Sequence, residues 1–253
     1  MYYYDLHCHT NLSEDSFTDI KDAVNVAKKR GLDGIALTNH NKKYDGSLLI
    51  DGIQIIPAIE VTVEGESHLL AYFVKEDISK RDNFENIIKN IKNQGGYAVL
   101  AHPYRNSHGW FKKDNLDDIL SVVDGVEVGN ALDSKEQRDL ASKLLNNDLV
   151  GTAGSDAHMS GQVGFAVVGV KERLNKENFK EVLKDAKIII APESDNFKMF
   201  WHLKNIIGRV KNFINSFRPL KFIFYNVIMK LYFTIKNRSL LKINFNYKNE
   251  KNI

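Results

Sequence analysis

The chemistry-bearing residues of this chain are its histidines. There are eight, at 7, 9, 40, 68, 102, 108, 158 and 202. His7 and His9 flank Cys8, and in a strand residues i and i+2 point to one face, so the two imidazoles converge. Asp156 and His158 repeat that spacing. Imidazoles gathered with carboxylates are the ligand set of Zn²⁺, Mn²⁺ or Fe²⁺. With Asp15 and Glu60, nine residues become candidate ligands: His7, His9, Asp15, His40, Glu60, His68, His102, Asp156 and His158. That is too many for one tetrahedral ion and suits two or three, some ligands bridging. A lone histidine after a strand is usually an ordinary loop residue. Six of them at strand ends, with two i, i+2 pairs, argue against coincidence. His108 and His202 lack that context and read as plain loop and tail residues. Cys8 points away from its neighbours and reads as a small core residue rather than a nucleophile.

These residues need elements to bring them together. Apolar runs predict strands at 3–7, 34–38, 53–59, 68–74, 97–101, 125–128, 149–153, 164–170 and 188–191. Helical spacing predicts helices starting at a Thr18 N-cap and ending at Gly31, and over 82–94, 134–146 and 175–186. Alternating strands and helices argue for a parallel sheet or a barrel of about seven strands. In parallel barrels active sites collect at the C-terminal ends of the strands. His40, Glu60, His102, Asp156 and His158 each fall at or just past such an end, whereas His68 falls at a strand start.

Composition narrows the function classes. The chain has 253 residues, 43% hydrophobic and 26% charged, in the range of ordinary globular domains. No run of about 18 apolar residues predicts a membrane span, and the first residues do not resemble a signal peptide. The single cysteine excludes an internal disulfide and fits a reducing, cytoplasmic setting. No G-x-G-x-x-G follows the first strand and no Walker loop occurs, so the common nucleotide cradles are absent. Charge is split: residues 195–253 hold twelve Lys/Arg against two acids, +10, leaving −7 for residues 1–194 of a total of +3.

Seven motifs run in order along residues 1–192: Asp5-Leu6-His7-Cys8-His9-Thr10, Thr38-Asn39-His40, Pro57-Ala58-Ile59-Glu60, His68-Leu69-Leu70-Ala71-Tyr72-Phe73, Ala101-His102-Pro103, Gly125-Val126-Glu127-Val128 and Gly154-Ser155-Asp156-Ala157-His158. Together they resemble the PHP (polymerase and histidinol phosphatase) family of metal-dependent phosphoesterases. The resemblance implies an α/β fold, a distorted seven-stranded (βα) barrel, with a trinuclear metal site. It places His7, His9, His40, Glu60, His68, His102, Asp156 and His158 among the ligands. After H-x-H-T, Glu14 and Asp15 both stand near the next ligand position, and the shorter Asp15 is favoured. Asn39 stands where Asp is usual; it can hydrogen-bond but brings no charge.

Closely spaced divalent ions would lower the pKa of a bridging water, polarise phosphoryl oxygens and stabilise the leaving oxygen, so no Ser or Cys nucleophile is needed. Asp156 or His158 could assist the leaving group. Arg105 is a candidate phosphate clamp. Glu127 and Asn130 read equally as supporting groups or structure, and Lys42 and Lys43 as solvated lysines. The expected function is hydrolysis of a small phosphorylated metabolite, nucleotide or short oligonucleotide. The competing readings are an amidohydrolase-like metal enzyme and a metal-bound recruiting module.

The sequence divides into a catalytic domain, 1–192, and a basic, aromatic-rich extension, 193–253, with helical spacing around Phe200, Trp201, Ile206, Val210, Phe213 and Phe217. Interleaved aromatic and basic residues suit nucleic-acid contact, an interfacial helix that would hold a cytoplasmic protein at a membrane surface, or a further helical layer on the barrel.

Overall fold

The computed structural model describes residues 1–16, 18–110, 116–191 and 245–248. Ten strands form one sheet: β1 (Tyr2–Cys8), β2 (Gly34–Leu37), β3 (Leu49–Ile50), β4 (Ile53–Thr62), β5 (His68–Tyr72), β6 (Tyr97–Leu100), β7 (Gly125–Asn130), β8 (Val150–Gly154), β9 (Ala166–Val170) and β10 (Lys187–Ile190). Their order is β10-β9-β1-β2-β4-β5-β6-β7-β8, with β3 paired on β4. Seven strands, β1 round to β8, make the barrel wall. The antiparallel pair β9–β10 continues from β1.

The wall closes where β8 meets β1. Asp156 N–H donates to His7 O at 2.7 Å, and His9 N–H to Ala157 O at 2.9 Å. Gly154 makes this approach possible, because a Cβ there would lie 2.2 Å from the His7 Cβ. Register slips by a residue between Asp5 and Cys8 where β1 pairs with β2, an irregularity that re-aims the side chains at the strand end.

The sheet is mixed, not parallel as the alternating pattern suggests. Only 63–67 separate β4 from β5, too few residues for a crossover, so the pair folds back as a hairpin and β5 runs antiparallel to both its neighbours. The strand walls read as near-continuous apolar runs because both faces are covered. Tyr4, Leu6, Ile56, Leu70 and Val99 fill the interior. Outside, α1 (Ile20–Lys29) buries Ala23, Val24, Val26 and Ala27, and α2 (Phe84–Asn93) buries Ile87, Ile88 and Ile91. Each of these isoleucines contributes about 1.5–3 kcal/mol by leaving water.

Several helix boundaries differ from the sequence reading. Asp19, not Thr18, caps α1, its carboxylate accepting from Lys21 N at 2.9 Å. A helix at Leu116–Val122 (α3) was not expected. α4 (Lys135–Ser142) and α5 (Phe179–Lys184) are shorter than their periodic patterns. Residues 193–244 of the extension, and its expected helices, lie outside the described residues. No described helix is long and apolar enough to cross a membrane.

Candidate metal centre

All nine predicted ligands come to one rim of the barrel. His7 lies at the end of β1 and His9 just past it. His40 follows β2 and bridges to Glu60 of β4. His102 follows β6, and Asp156 and His158 follow β8. The reversal of β5 explains His68: its first residue pairs with Thr62, the last of β4, so a strand start meets the strand ends.

Glu60 is the hub. Its Oε1 lies 2.9 Å from His68 Nδ1, 3.0 Å from His102 Nε2 and 3.5 Å from His7 Nε2; its Oε2 lies 3.1 Å from His40 Nδ1 and 3.3 Å from His9 Nε2. Asp156 Oδ1 sits 3.3 Å from His9 Nε2 and 3.6 Å from His7 Nε2. Asp15 Oδ2 reaches His158 Nε2 at 2.9 Å and His40 Nε2 at 3.6 Å. Asp15 therefore meets the cluster. Three overlapping groups have donor atoms all within 4.8 Å of one another: His9, Asp15, His40 and His158; His7, His9 and Glu60; His40, Glu60 and His68.

This donor set fits divalent cations. Five imidazoles cannot all satisfy one carboxylate with protons, and His7 Nε2 faces His9 Nε2 at 3.1 Å. The three groups overlap at His9, His40 and Glu60, and each mixes imidazole and carboxylate donors. Electrostatics agree. Burial opposes ionisation of Glu60, but His68, His7 and His40 hold its carboxyl well below the usual range. Burial likewise opposes Asp156, and His7 and Arg105 overcome it. His102 is pushed down to about 4 by burial and by Arg105, so it is a neutral imidazole with a lone pair to donate.

A family profile for the PHP domain matches residues 5–195. The chain belongs to the PHP family. An uncharacterized protein of Methanocaldococcus jannaschii is 35% identical over 147 residues, spanning 50% of this chain and 81% of its own. A Thermoanaerobacter protein named "Probable phosphatase" is 25% identical over 251 residues, 76% of this chain and 98% of its own. The lesion-specific endonuclease EndoQ of Pyrococcus furiosus has the same fold, with a TM-score of 0.56 at 18% identity over 74% of this chain and 57% of its own. As a PHP protein with a buried His/Glu/Asp cluster, the chain is a metal-dependent phosphoesterase.

Around these candidate ligands stands a layer that sequence reasoning left open or missed. Glu127 Oε1 takes His7 Nδ1 at 2.8 Å while its Oε2 accepts from the His102 backbone N–H at 2.8 Å and from Asn130 Nδ2 at 3.1 Å. One carboxylate thus aims two candidate ligands. Its flanking valines disguised it as a wall residue. Asn39 Oδ1 accepts from Thr10 N at 2.7 Å and Thr10 Oγ1 at 2.9 Å, so it makes bonds a carboxylate would make there without its charge.

Arg105 is half-buried between two carboxylates, with Asp133 Oδ1 at 2.8 Å and Asp156 Oδ2 at 2.7 Å. Its Nη2 has no partner among the described residues. Asp133, unforeseen, holds the guanidinium. Burial raises its pKa to about 6 despite Arg105. His108 is not a plain loop residue: its ring stacks on His68 at 4.3 Å, and Nδ1 donates to Glu66 O at 2.7 Å. Both Arg105 and His108 border the pocket of about 180 Å³ that opens onto the cluster. A larger groove of about 500 Å³ between α2 and α3 touches none of these residues. Lys42 and Lys43 pair with Asp77 and Asp45 and stay outside the site.

Proposed function

We propose that the chain hydrolyses the phosphoester of a small phosphorylated metabolite, nucleotide or short oligonucleotide. The observation that carries this reading is the unpartnered Arg105 Nη2 beside a rim of cation ligands. The two-carboxylate grip of Asp133 and Asp156 occupies Nε and Nη1 and leaves Nη2 to meet a phosphoryl oxygen. The limited pocket volume favours a small reacting group over a bulky one.

His7, His9, Asp15, His40, Glu60, His68, His102, Asp156 and His158 would hold two or three ions, of which Mn²⁺, Zn²⁺ and Fe²⁺ suit the mixed donor set. When bound, such ions lower the pKa of a coordinated, bridging water and neutralise phosphoryl charge. The chain's own groups do the positioning. Glu127 fixes the ring of His7, Ser13 Oγ lies 3.2 Å from His9 Nδ1, and Arg105 orients the phosphate. Asp156 is held ionised, so it serves as ligand and acceptor and not as proton donor to the leaving group. His158 keeps Nδ1 toward the Asp156 carbonyl at 2.9 Å and Nε2 toward Asp15, which leaves the Nε2 lone pair to a cation. The extension, 193–253, is read as a separate element from the catalytic domain, 1–192. Its interleaved aromatic and basic residues suit contact with nucleic acid or with a membrane face in the cytoplasm, or a further layer packed on the barrel.

The test is turnover of a panel of phosphate monoesters and diesters by Mn²⁺-loaded protein beside His7→Ala/His9→Ala. Ester hydrolysis that vanishes in the double variant supports the reading. Amide hydrolysis in its place would move the chain to the amidohydrolase-like alternative. Bound metal without turnover of any ester or amide would favour the recruiting module.

A further inference from the structure

The last described residues do not trail away from the body. Tyr247 is buried. Its ring stacks on Tyr3 at 5.3 Å, its N–H donates to Arg30 O at 3.0 Å, and its hydroxyl donates to Gly164 O at 2.7 Å. Phe245 lies against the Arg30 guanidinium at 4.7 Å. Asn246 donates to Lys29 O at 2.9 Å, and Lys248 pairs with Asp33 at 2.7 Å. The turn after α1 is shaped for this segment. Gly31 has φ +72°, and a Cβ there would lie 2.5 Å from Asn246 Oδ1.

What the segment grips is the loop behind two metal ligands. Gly164, whose carbonyl Tyr247 takes, donates its own N–H to Asp5 Oδ2 at 2.6 Å. Asp5 in turn accepts from the backbone N–H groups of Ser155 at 2.8 Å and His7 at 3.2 Å. Arg30, sandwiched between Phe165 and Phe245, donates to the carbonyls of Gly161 and Val163. Between these points Gln162 Oε1 accepts from His158 N and Met159 N, both at 2.9 Å. Ala191, where the described body ends, donates to Phe165 O at 2.7 Å. The departing chain and the returning chain therefore close on the same loop.

We infer that Phe245–Lys248 is a positioning element of the metal centre, a C-terminal strap that sets the 159–165 loop and through it His158 and His7. This rests on the cluster being a metal centre. Removing the Tyr247 hydroxyl would leave a buried carbonyl without its donor and loosen Gly164, whose N–H holds Asp5. The loss should be felt as looser ligand geometry, since outer groups that orient ligands are typically worth 10–100-fold in metal affinity.

The experiment is calorimetric titration of Mn²⁺ into metal-stripped, full-length protein, with melting temperature measured in parallel. The variants are Tyr247→Phe, which keeps the ring packing, and Phe245→Ala, which uncovers Arg30. Ile88→Ala, in the α2 core away from the strap, is the control for general destabilisation. The expected result is about a tenfold weaker ion-binding step in Tyr247→Phe, a larger loss in Phe245→Ala, and unchanged affinity in Ile88→Ala despite its lower melting temperature. Wild-type affinity in both strap variants overturns the proposal and leaves the metal centre standing. So does a loss matched by Ile88→Ala at equal melting temperature. No ion bound by the wild-type chain would overturn the metal centre itself, and the strap with it.

Discussion

The backbone N–H of Asp156 donates to the carbonyl of His7 across 2.7 Å, joining the first and the last barrel strands at the point where both deliver ligands. Residues 149 positions apart thus share one peptide hydrogen bond. Asp5 seals the same seam from behind, and the strap at Tyr247 reaches it through Gly164.

Asp5→Ala should be strongly destabilising. It strands the buried N–H groups of Ser155 and Gly164 and weakens that of His7, each worth about 1–3 kcal/mol when left unsatisfied. Urea unfolding should show a loss on the order of 3 kcal/mol at unchanged slope.

Arg105→Lys should not rescue Arg105→Ala. A lysine cannot hold Asp133 and Asp156 and still present a donor to phosphate. Both variants should lower kcat/KM by about a hundredfold or more, the range for losing a preorganised charge-stabilising donor. Metal stoichiometry should persist. Steady-state kinetics beside elemental analysis checks this.

Glu127→Gln should keep the fold but lose about 10–100-fold in metal affinity, because one amide oxygen cannot serve both His7 Nδ1 and the His102 N–H. Titration with Co²⁺, followed by its visible absorption, reads the loss directly.

The pH response of the metal-free chain has a defined sign. Burial lowers the His7 pKa, but Glu127, Asp156 and Glu60 raise it by more, so the folded value lies well above the usual range for imidazole. A group raised on folding contributes stability that is complete below its unfolded pKa of about 6.5 and lost as pH climbs through the folded value. Bound cations replace that positive charge. The melting temperature of stripped protein should therefore fall as pH rises through and above neutrality, and the gap to metal-loaded protein should widen. Differential scanning fluorimetry from pH 6 to 9 tests this; a gap that narrows with pH contradicts it.

The legible part of this molecule was the part with short-range periodicity. The i, i+2 pair His7/His9 survives because β1 fixes its relation locally, whereas Asp156 and His158 lie past the end of β8 and are held by the backbone bonds to His7 and His9. His68 looked misplaced only because the 63–67 hairpin reverses β5, and strand direction is not written in an apolar run. Glu127 hid between Val126 and Val128, since a purely apolar reading of a strand has no means to mark one inward carboxylate. Asp133 and His108 sit in loops whose paths depend on Arg105 and His68, partners far off in sequence. Tyr247 stood in a tail whose composition left surface contact and packing on the barrel both open, and its burial depends on the Gly31 turn more than two hundred residues earlier. Helix ends were overrun where an apolar stripe outlasted the helix, as at α4 and α5.

The central claim is that the rim holds two or three ions on the named residues. The most direct measurement is a crystal of Mn²⁺-soaked protein with data collected at the manganese absorption edge. The account predicts two or three anomalous peaks within coordinating distance of His7, His9, Glu60, His40 and His158, absent in His7→Ala/His9→Ala. A single surface peak elsewhere, or none at the rim with the protein intact, would contradict it.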